Sequence, residues 1–229
     1  METGSSRSRE VLLLGGPLFR DRVEAGRLLA AELQEGAAPE AVVFGLARGG
    51  VVVAAEVASA LGAPLDALAV RKIGHLFQPE YAIGAVTPDD GVYLRAHDGL
   101  TDEQVAEAVA GAQAKAAALD ARLHEHVPRL DPSGRTVIVV DDGLATGATM
   151  IAALRQARAK DAAAVVAAVP VAPAETAALV RKEADELVCL HELDFFEAVG
   201  VWYERFEQVS DERVLQLLER ARTAPPIRT

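Results

Sequence analysis

Residues Val137 to Thr149 read VIVVDDGLATGAT, and the order of residue types in that string sets its chemistry. Four β-forming residues lead into two adjacent carboxylates, Asp141 and Asp142, which should stop a buried strand at its carboxyl end. Open α/β sheets bind ligands at that end. Gly143, Ala145, Thr146, Gly147, Ala148 and Thr149 then form a loop of small and hydroxylated residues that opens a helix. Such a loop can turn several backbone N–H groups, its hydroxyls and the helix dipole toward one anion. Carboxylates repel a bare phosphate but accept hydrogen bonds from sugar hydroxyls. The whole string therefore suits a sugar phosphate, with phosphate on the loop and ribose hydroxyls on the carboxylates.

Competing chemistry fits less well. A Walker loop needs a lysine after the last glycine, and none follows Gly147. No GxGxxG follows a strand, so dinucleotide binding has no support. A phosphate-receiver pocket would place its acidic pair after the first strand and lacks the threonine-glycine loop. The bland alternative is that Asp142 caps a helix and the glycines make a tight turn.

Two further stretches put a cation beside glycine at a strand end. Gly45-Leu46-Ala47-Arg48-Gly49-Gly50 lets the backbone approach a ligand closely and offers Arg48 for charge-assisted bonds. Arg71-Lys72-Ile73-Gly74 follows the next apolar segment, with His75, Glu80 and Tyr81 beyond it. Each stretch can also be an ordinary turn with solvated charges. Phe195, Phe196, Trp202 and Tyr203 are able to stack on a base, but packing is the expected role of aromatics in a terminal segment. Cys189, in ELVCL, reads as a buried strand residue.

The surrounding sequence supplies elements to hold these residues. Asp21–Leu33 has helical spacing; Ala41–Gly45 reads as strand, and VVVAAEVASALG after it as helix. Pro64–Val70 is a second strand, running into the polar stretch RKIGHLFQPEYAIGAV, read as a loop. Leu100–Val127 is one long helix, with Thr101 as N-cap and Glu103 in the first turn. Arg135 opens the next strand; Thr149–Lys160, Ala164–Val171, Ala174–Glu183 and Glu186–Leu190 continue as helix, strand, helix and strand. Strands apolar throughout and alternating with helices predict an α/β fold: a central parallel sheet with helices on both faces. The expected organisation is a flexible terminus over residues 1–10, one domain over 11–222, and a tail over 223–229. Within the domain, 98–127 reads as an inserted helix and 193–222 as a C-terminal elaboration.

Composition narrows the partners. Of 229 residues 45 are alanine and 4% are aromatic, so the core is built from small side chains. The net charge of -11 counts against nucleic acid, which selects a basic face. The excess sits on 98–126 and 181–222, which carry net charges of -4 and -5, while 127–180 is neutral. The charge therefore leaves a phosphorylated small molecule open. One cysteine excludes a disulfide framework. No apolar run is long enough for a membrane span, and the first ten residues lack the apolar centre of a signal peptide, so a cytoplasmic protein is expected.

VIVVDDGLATGAT resembles the phosphoribosyl pyrophosphate (PRPP) signature of type I phosphoribosyltransferases, which have a Rossmann-like fold. The resemblance covers about residues 20–190. It implies that Asp141 and Asp142 hold the ribose hydroxyls and that Ala145, Thr146, Gly147, Ala148 and Thr149 cradle the 5′-phosphate. By the same resemblance Ala47, Arg48 and Gly49 form the pyrophosphate loop, and Arg48, Arg71 and Lys72 offset charge on the leaving pyrophosphate. Mg²⁺ would arrive with PRPP, with no direct protein ligand beyond Asp141 through water. The acceptor would be a nitrogenous small molecule, and the assembly a homodimer.

The match departs from the family in places. Ala145 stands where 6-oxopurine enzymes carry an Asp, which speaks against hypoxanthine or guanine. Gly143 and Ala148 differ from adenine-type motifs, and the 98–127 helix is unlike a compact adenine enzyme. Two alternatives stay open: a PRPP- or nucleotide-sensing regulator of the same fold, and an enzyme acting on another ribose phosphate.

Overall fold

The computed structural model describes residues 16–34, 40–89, 91–95 and 99–223, with backbone alone at positions 79 and 80. The expected flexible terminus over 1–10, the tail beyond 223 and the Glu80 side chain lie outside the described residues. In chain order the first elements are α1 (Arg22–Leu33), β1 (Val42–Leu46), α2 (Gly49–Leu61), β2 (Leu65–Leu68), β3 (Arg71–His75), β4 (Gln78–Val86) and β5 (Val92–Leu94). They continue with α3 (Asp102–Leu123), β6 (Thr136–Val140), α4 (Ala148–Ala159), β7 (Ala164–Pro173), α5 (Ala174–Val180), β8 (Glu186–Leu193) and α6 (Asp211–Thr223). A 3₁₀ turn, Val199–Trp202, lies between β8 and α6.

Five strands form the parallel sheet in the order β2-β1-β6-β7-β8. The chain leaves β1 toward β2 on one side and later returns to β6 on the other. The carboxyl ends of β1 and β6 therefore flank the switch point where such sheets open a crevice. Alternate residues of β6 feed two cores. Val137 and Val139 pack under Met150, Ile151 and Leu154 of α4, while Ile138 and Val140 pack under Val51, Val53 and Val57 of α2. Each fully buried Val, Leu or Ile contributes roughly 1.5–3 kcal/mol. Burial on both faces explains why these strands are apolar without alternation.

The stretch after β2 departs from expectation. Residues 71–86 are an antiparallel hairpin and not a loop; β3 pairs with β4 and β4 with β5, forming a separate three-stranded sheet. Its apolar residues are scattered among polar ones, so a linear scan sees a loop. Pairing gathers Ile73, Ile83 and Val86 into one cluster against Ala108 and Ala112 of α3.

The inserted helix α3 starts at a capping box, Thr101 with Gln104, and buries one stripe: Val105, Ala108, Ala112, Ala116, Leu119 and Leu123. Its first half covers the hairpin sheet; Leu119 and Leu123 join the α2 core beside Val214 and Leu218 of α6. At its end, the His124 ring lies 3.0 Å from Asp66 Oδ1 and 3.1 Å from Asp120 Oδ1. Burial opposes charging of this imidazole, but the hydrogen bonds to Asp120 and Asp66 outweigh it, and its pKa is pushed up to about 9. The charged ring ties α3 to β2.

In the C-terminal segment Trp202 and Tyr203 are buried against Phe19, as expected of packing aromatics, and Phe196 is partly buried there. Phe195 differs, at 90% exposed. Cys189 sits on β8 half-buried, its thiol pushed up to about 12 first by burial. No described helix is long and apolar enough to cross a membrane.

Candidate active site

The acidic pair ends β6 as the sequence implies. Asp141 donates its N–H to the Ala168 carbonyl at 3.3 Å, and the Asp142 N–H turns back onto Asp141 Oδ1 at 2.9 Å. The carboxylates are not equivalent. Asp142 Oδ2 lies 2.7 Å from Arg22 Nε in an ion pair whose side chains are 14% and 11% exposed. Tyr203 donates its hydroxyl to the Asp142 carbonyl at 2.6 Å. Arg22 is itself fixed, its guanidinium 3.7 Å from the Phe206 ring centroid and its Nη1 2.8 Å from the Glu207 carbonyl. Asp141 has no ion-pair partner among the described residues; burial first, then the neighbouring Asp142, push its pKa well up. Burial and the same acidic neighbour raise the Tyr203 hydroxyl as well.

The loop beyond the pair leaves its backbone donors open. Gly147 takes the left-handed conformation, φ 72°, that lets the chain turn into α4 without a side-chain cap. The N–H groups of Ala145, Thr146 and Gly147 have no acceptor among the described residues. They stand at the amino end of a 12-residue helix, where the dipole adds to them. From behind, Thr176 of α5 donates its hydroxyl to the Ala145 carbonyl at 3.0 Å and holds the loop.

The β1–α2 loop meets the acidic pair directly. The Ala47–Arg48 peptide is cis, and α2 begins at Gly49 with no side-chain cap. The N–H groups of Arg48, Gly49 and Gly50 have no acceptor among the described residues. A Cβ on Gly49 would lie 2.1 Å from Asp142 Oδ2, so only glycine lets this loop approach the acidic pair. One uncapped helix end thus abuts the carboxylates, and the chain leaving them leads into the other.

Arg48 reaches past this contact toward Asp211, the first residue of α6, at 3.8 Å. Arg71, at the start of β3, joins it: burial first, then the Arg48 charge, lower the Arg71 pKa. Side chains alternate faces along a strand. Half-buried Arg71 and buried Ile73 therefore share one face, and Lys72 is exposed on the other. Arg71 thus feels the Arg48 charge, while Lys72 points to the opposite face of the strand. His75 and Tyr81 sit near the hairpin tip, their rings 6.3 Å apart, beside Phe77 at 70% exposed.

Several residues here carry no signal in the linear sequence. Arg22, Thr176 and Asp211 come from three distant segments and match no motif. Arg122, on α3, reaches Asp211 Oδ2 at 2.5 Å and completes a cluster of three guanidinium groups.

For a divalent cation, carboxylate oxygens are the right hard donors, and an ion carried by a polyphosphate needs only one or two of them. Asp141 fits that limited role. No group of three or more potential ligands is assembled among the described residues.

A parallel α/β sheet with two helices that start without side-chain caps and an acidic pair at its switch point defines a protein of the doubly wound class. Comparison with known proteins makes the assignment specific. The phosphoribosyl transferase domain family matches residues 21–205, and the chain belongs to that family. Two Mycobacterium tuberculosis proteins provisionally named phosphoribosyl transferases, from strains CDC 1551 and H37Rv, are 44% identical over 218 residues. The match covers 89% of this chain and 47% of theirs, so the chain spans about half the length of these curated relatives. The crystal structure of TT1426 from Thermus thermophilus superposes with a TM-score of 0.76 at 39% identity, covering 88% of this chain and 98% of that one. The AQ2163 protein of Aquifex aeolicus, at 13% identity and a TM-score of 0.50, covers 83% of this chain and 85% of its own, and shares the fold.

Proposed function

We propose that the protein transfers the 5-phosphoribosyl group from PRPP to a nitrogenous acceptor and releases pyrophosphate. One observation carries this: the uncapped amino end of α2 abuts Asp141 and Asp142, and the loop that leaves Asp142 runs into the uncapped amino end of α4. PRPP is a sugar with phosphate at both ends, and this geometry offers donors at both ends and acceptors in the middle. The Ala145–Thr149 loop takes the 5′-phosphate. Asp141 accepts from the ribose hydroxyls, Asp142 supports it, and Ala47, Arg48 and Gly49 receive the pyrophosphate.

In the reaction the C1–oxygen bond breaks as the acceptor nitrogen forms its bond to C1. Pyrophosphate departs with the electron pair, and the acceptor's proton goes to solvent. The chain's part is positioning and electrostatics. Arg48 and Arg71 offset charge growing on the departing oxygen, and the carboxylates face positive charge developing on the ribose. Lys72 takes no step from where it stands. Mg²⁺ bound with the pyrophosphate supplies further charge neutralisation, and Asp141 is the residue that would hold it, through water.

The acceptor is a nucleobase other than a 6-oxopurine, since Ala145 offers no carboxylate to such a ring. The setting is cytoplasmic nucleotide metabolism, the assembly a homodimer. The test is pyrophosphate release from PRPP across a panel of bases with Mg²⁺. Release with one base establishes the activity. PRPP binding without release for any base favours a PRPP sensor, to which one observation points: Arg22 already occupies an Asp142 oxygen.

A further inference from the structure

We propose that Arg122 of the inserted helix is a third pyrophosphate-binding arginine, beside Arg48 and Arg71, and that Asp211 is the carboxylate which pyrophosphate displaces from it. The proposal rests on the phosphoribosyl function above and gives helix α3 a part in it.

Packing fixes the groups before any ligand arrives. Leu119 and Leu123 are buried against the α2 core, which holds Arg122 at the edge of α3. On α6, Asp211 lies three and seven residues before buried Val214 and Leu218, so one helix face carries all three. The result is Arg122 Nη2 at 2.5 Å from Asp211 Oδ2 and Arg48 Nη1 at 3.8 Å from Asp211 Oδ1. One carboxylate thus bridges an arginine of the expected pyrophosphate loop and an arginine of the insert.

Arg48 and Arg122 reach this carboxylate, and its charge is also felt by Arg71. Two acids answer them, Asp211 and the exposed Glu212, which feels Arg122 and Arg48 but is held below the ordinary carboxylate range first by Ser210. Positive charge stays in excess, and crowding by Arg48 lowers the Arg71 pKa after burial does. An arginine fork accepts a carboxylate or a phosphate in the same bidentate geometry. The exchange is cheap, because the Arg122 side chain is 62% exposed, and exposed ion pairs contribute little. Pyrophosphate brings more charge than Asp211 and satisfies more than one fork at once. It therefore wins the exchange, and α6 loses its tie to Arg48 and Arg122.

Calorimetric titration with pyrophosphate in Mg²⁺, and separately with ribose 5-phosphate, tests this in the full chain. Arg122→Ala should weaken pyrophosphate binding about tenfold, the effect of losing a charge-assisted hydrogen bond, and leave ribose 5-phosphate unchanged. Asp211→Asn should tighten pyrophosphate binding about threefold or more by removing the competing charge. A gain in affinity cannot come from misfolding. Unchanged pyrophosphate affinity in both variants overturns the proposal. Wild type that binds ribose 5-phosphate but not pyrophosphate overturns it too, yet leaves the 5′-phosphate loop standing. Wild type that binds neither overturns the phosphoribosyl function as well.

Discussion

Arg22 and Asp142, 120 residues apart in the chain, form a nearly buried ion pair with Nε 2.7 Å from Oδ2. The pair joins α1 to the end of β6 and keeps two adjacent carboxylates from repelling each other unopposed. Arg22→Ala leaves Asp142 buried without a counter-charge, which should cost about 3–5 kcal/mol in urea unfolding. Adding Asp142→Asn should recover part of that loss. A single variant within about 0.5 kcal/mol of wild type would show that the pair is not structural.

Gly49 and Gly111 make a matched pair of glycine-to-alanine substitutions. At Gly49 the new Cβ would meet Asp142 Oδ2 at 2.1 Å, and at Gly111, in the exposed middle of α3, nothing lies within 4 Å. Gly49→Ala should reduce kcat/KM for PRPP at least about 10²-fold by forcing this loop off the acidic pair. Gly111→Ala should stabilise by about 0.5–1 kcal/mol and leave kinetics alone. Equal kinetics for both variants would remove the loop contact from the site.

The charged His124 predicts a pH dependence. Its folded pKa of about 9 lies above the ordinary 6.5. A raised pKa contributes stability that is complete below 6.5 and is lost as pH climbs through 9. Unfolding free energy should therefore fall by about 3 kcal/mol between pH 6 and pH 10. In His124→Gln this fall should be largely absent. The same slope in both proteins would assign it to other groups.

Arg71 and Lys72 are neighbours with opposite expectations, since they lie on opposite faces of β3. Arg71→Ala should lower kcat/KM about 10²–10³-fold, as for other lost electrostatic groups. Lys72→Ala should change it less than about threefold. Reversed effects would mean that the hairpin moves to bring Lys72 in.

What the sequence makes legible depends on how far the contacting residues lie from each other. VIVVDDGLATGAT carries strand, carboxylates and loop in consecutive residues, so both the element and its ligand class are readable there. The parallel sheet is readable for a similar reason: strands buried on both faces show as unbroken apolar runs. The 71–86 hairpin is not, because Ile73 and Ile83 become neighbours only once β3 and β4 pair. Nor are Arg22, Arg122 and Asp211. Each is a surface-type residue on an amphipathic helix, and only tertiary packing turns it toward the site.

Calorimetric titration of the wild-type chain with PRPP, ribose 5-phosphate and pyrophosphate, each with Mg²⁺, tests most directly whether the two loops and the acidic pair form one site. PRPP should bind at least about 10²-fold tighter than either fragment, because linking two bound groups makes the second binding event intramolecular. PRPP binding no tighter than ribose 5-phosphate would contradict a joint site at Arg48, Asp141 and Thr146.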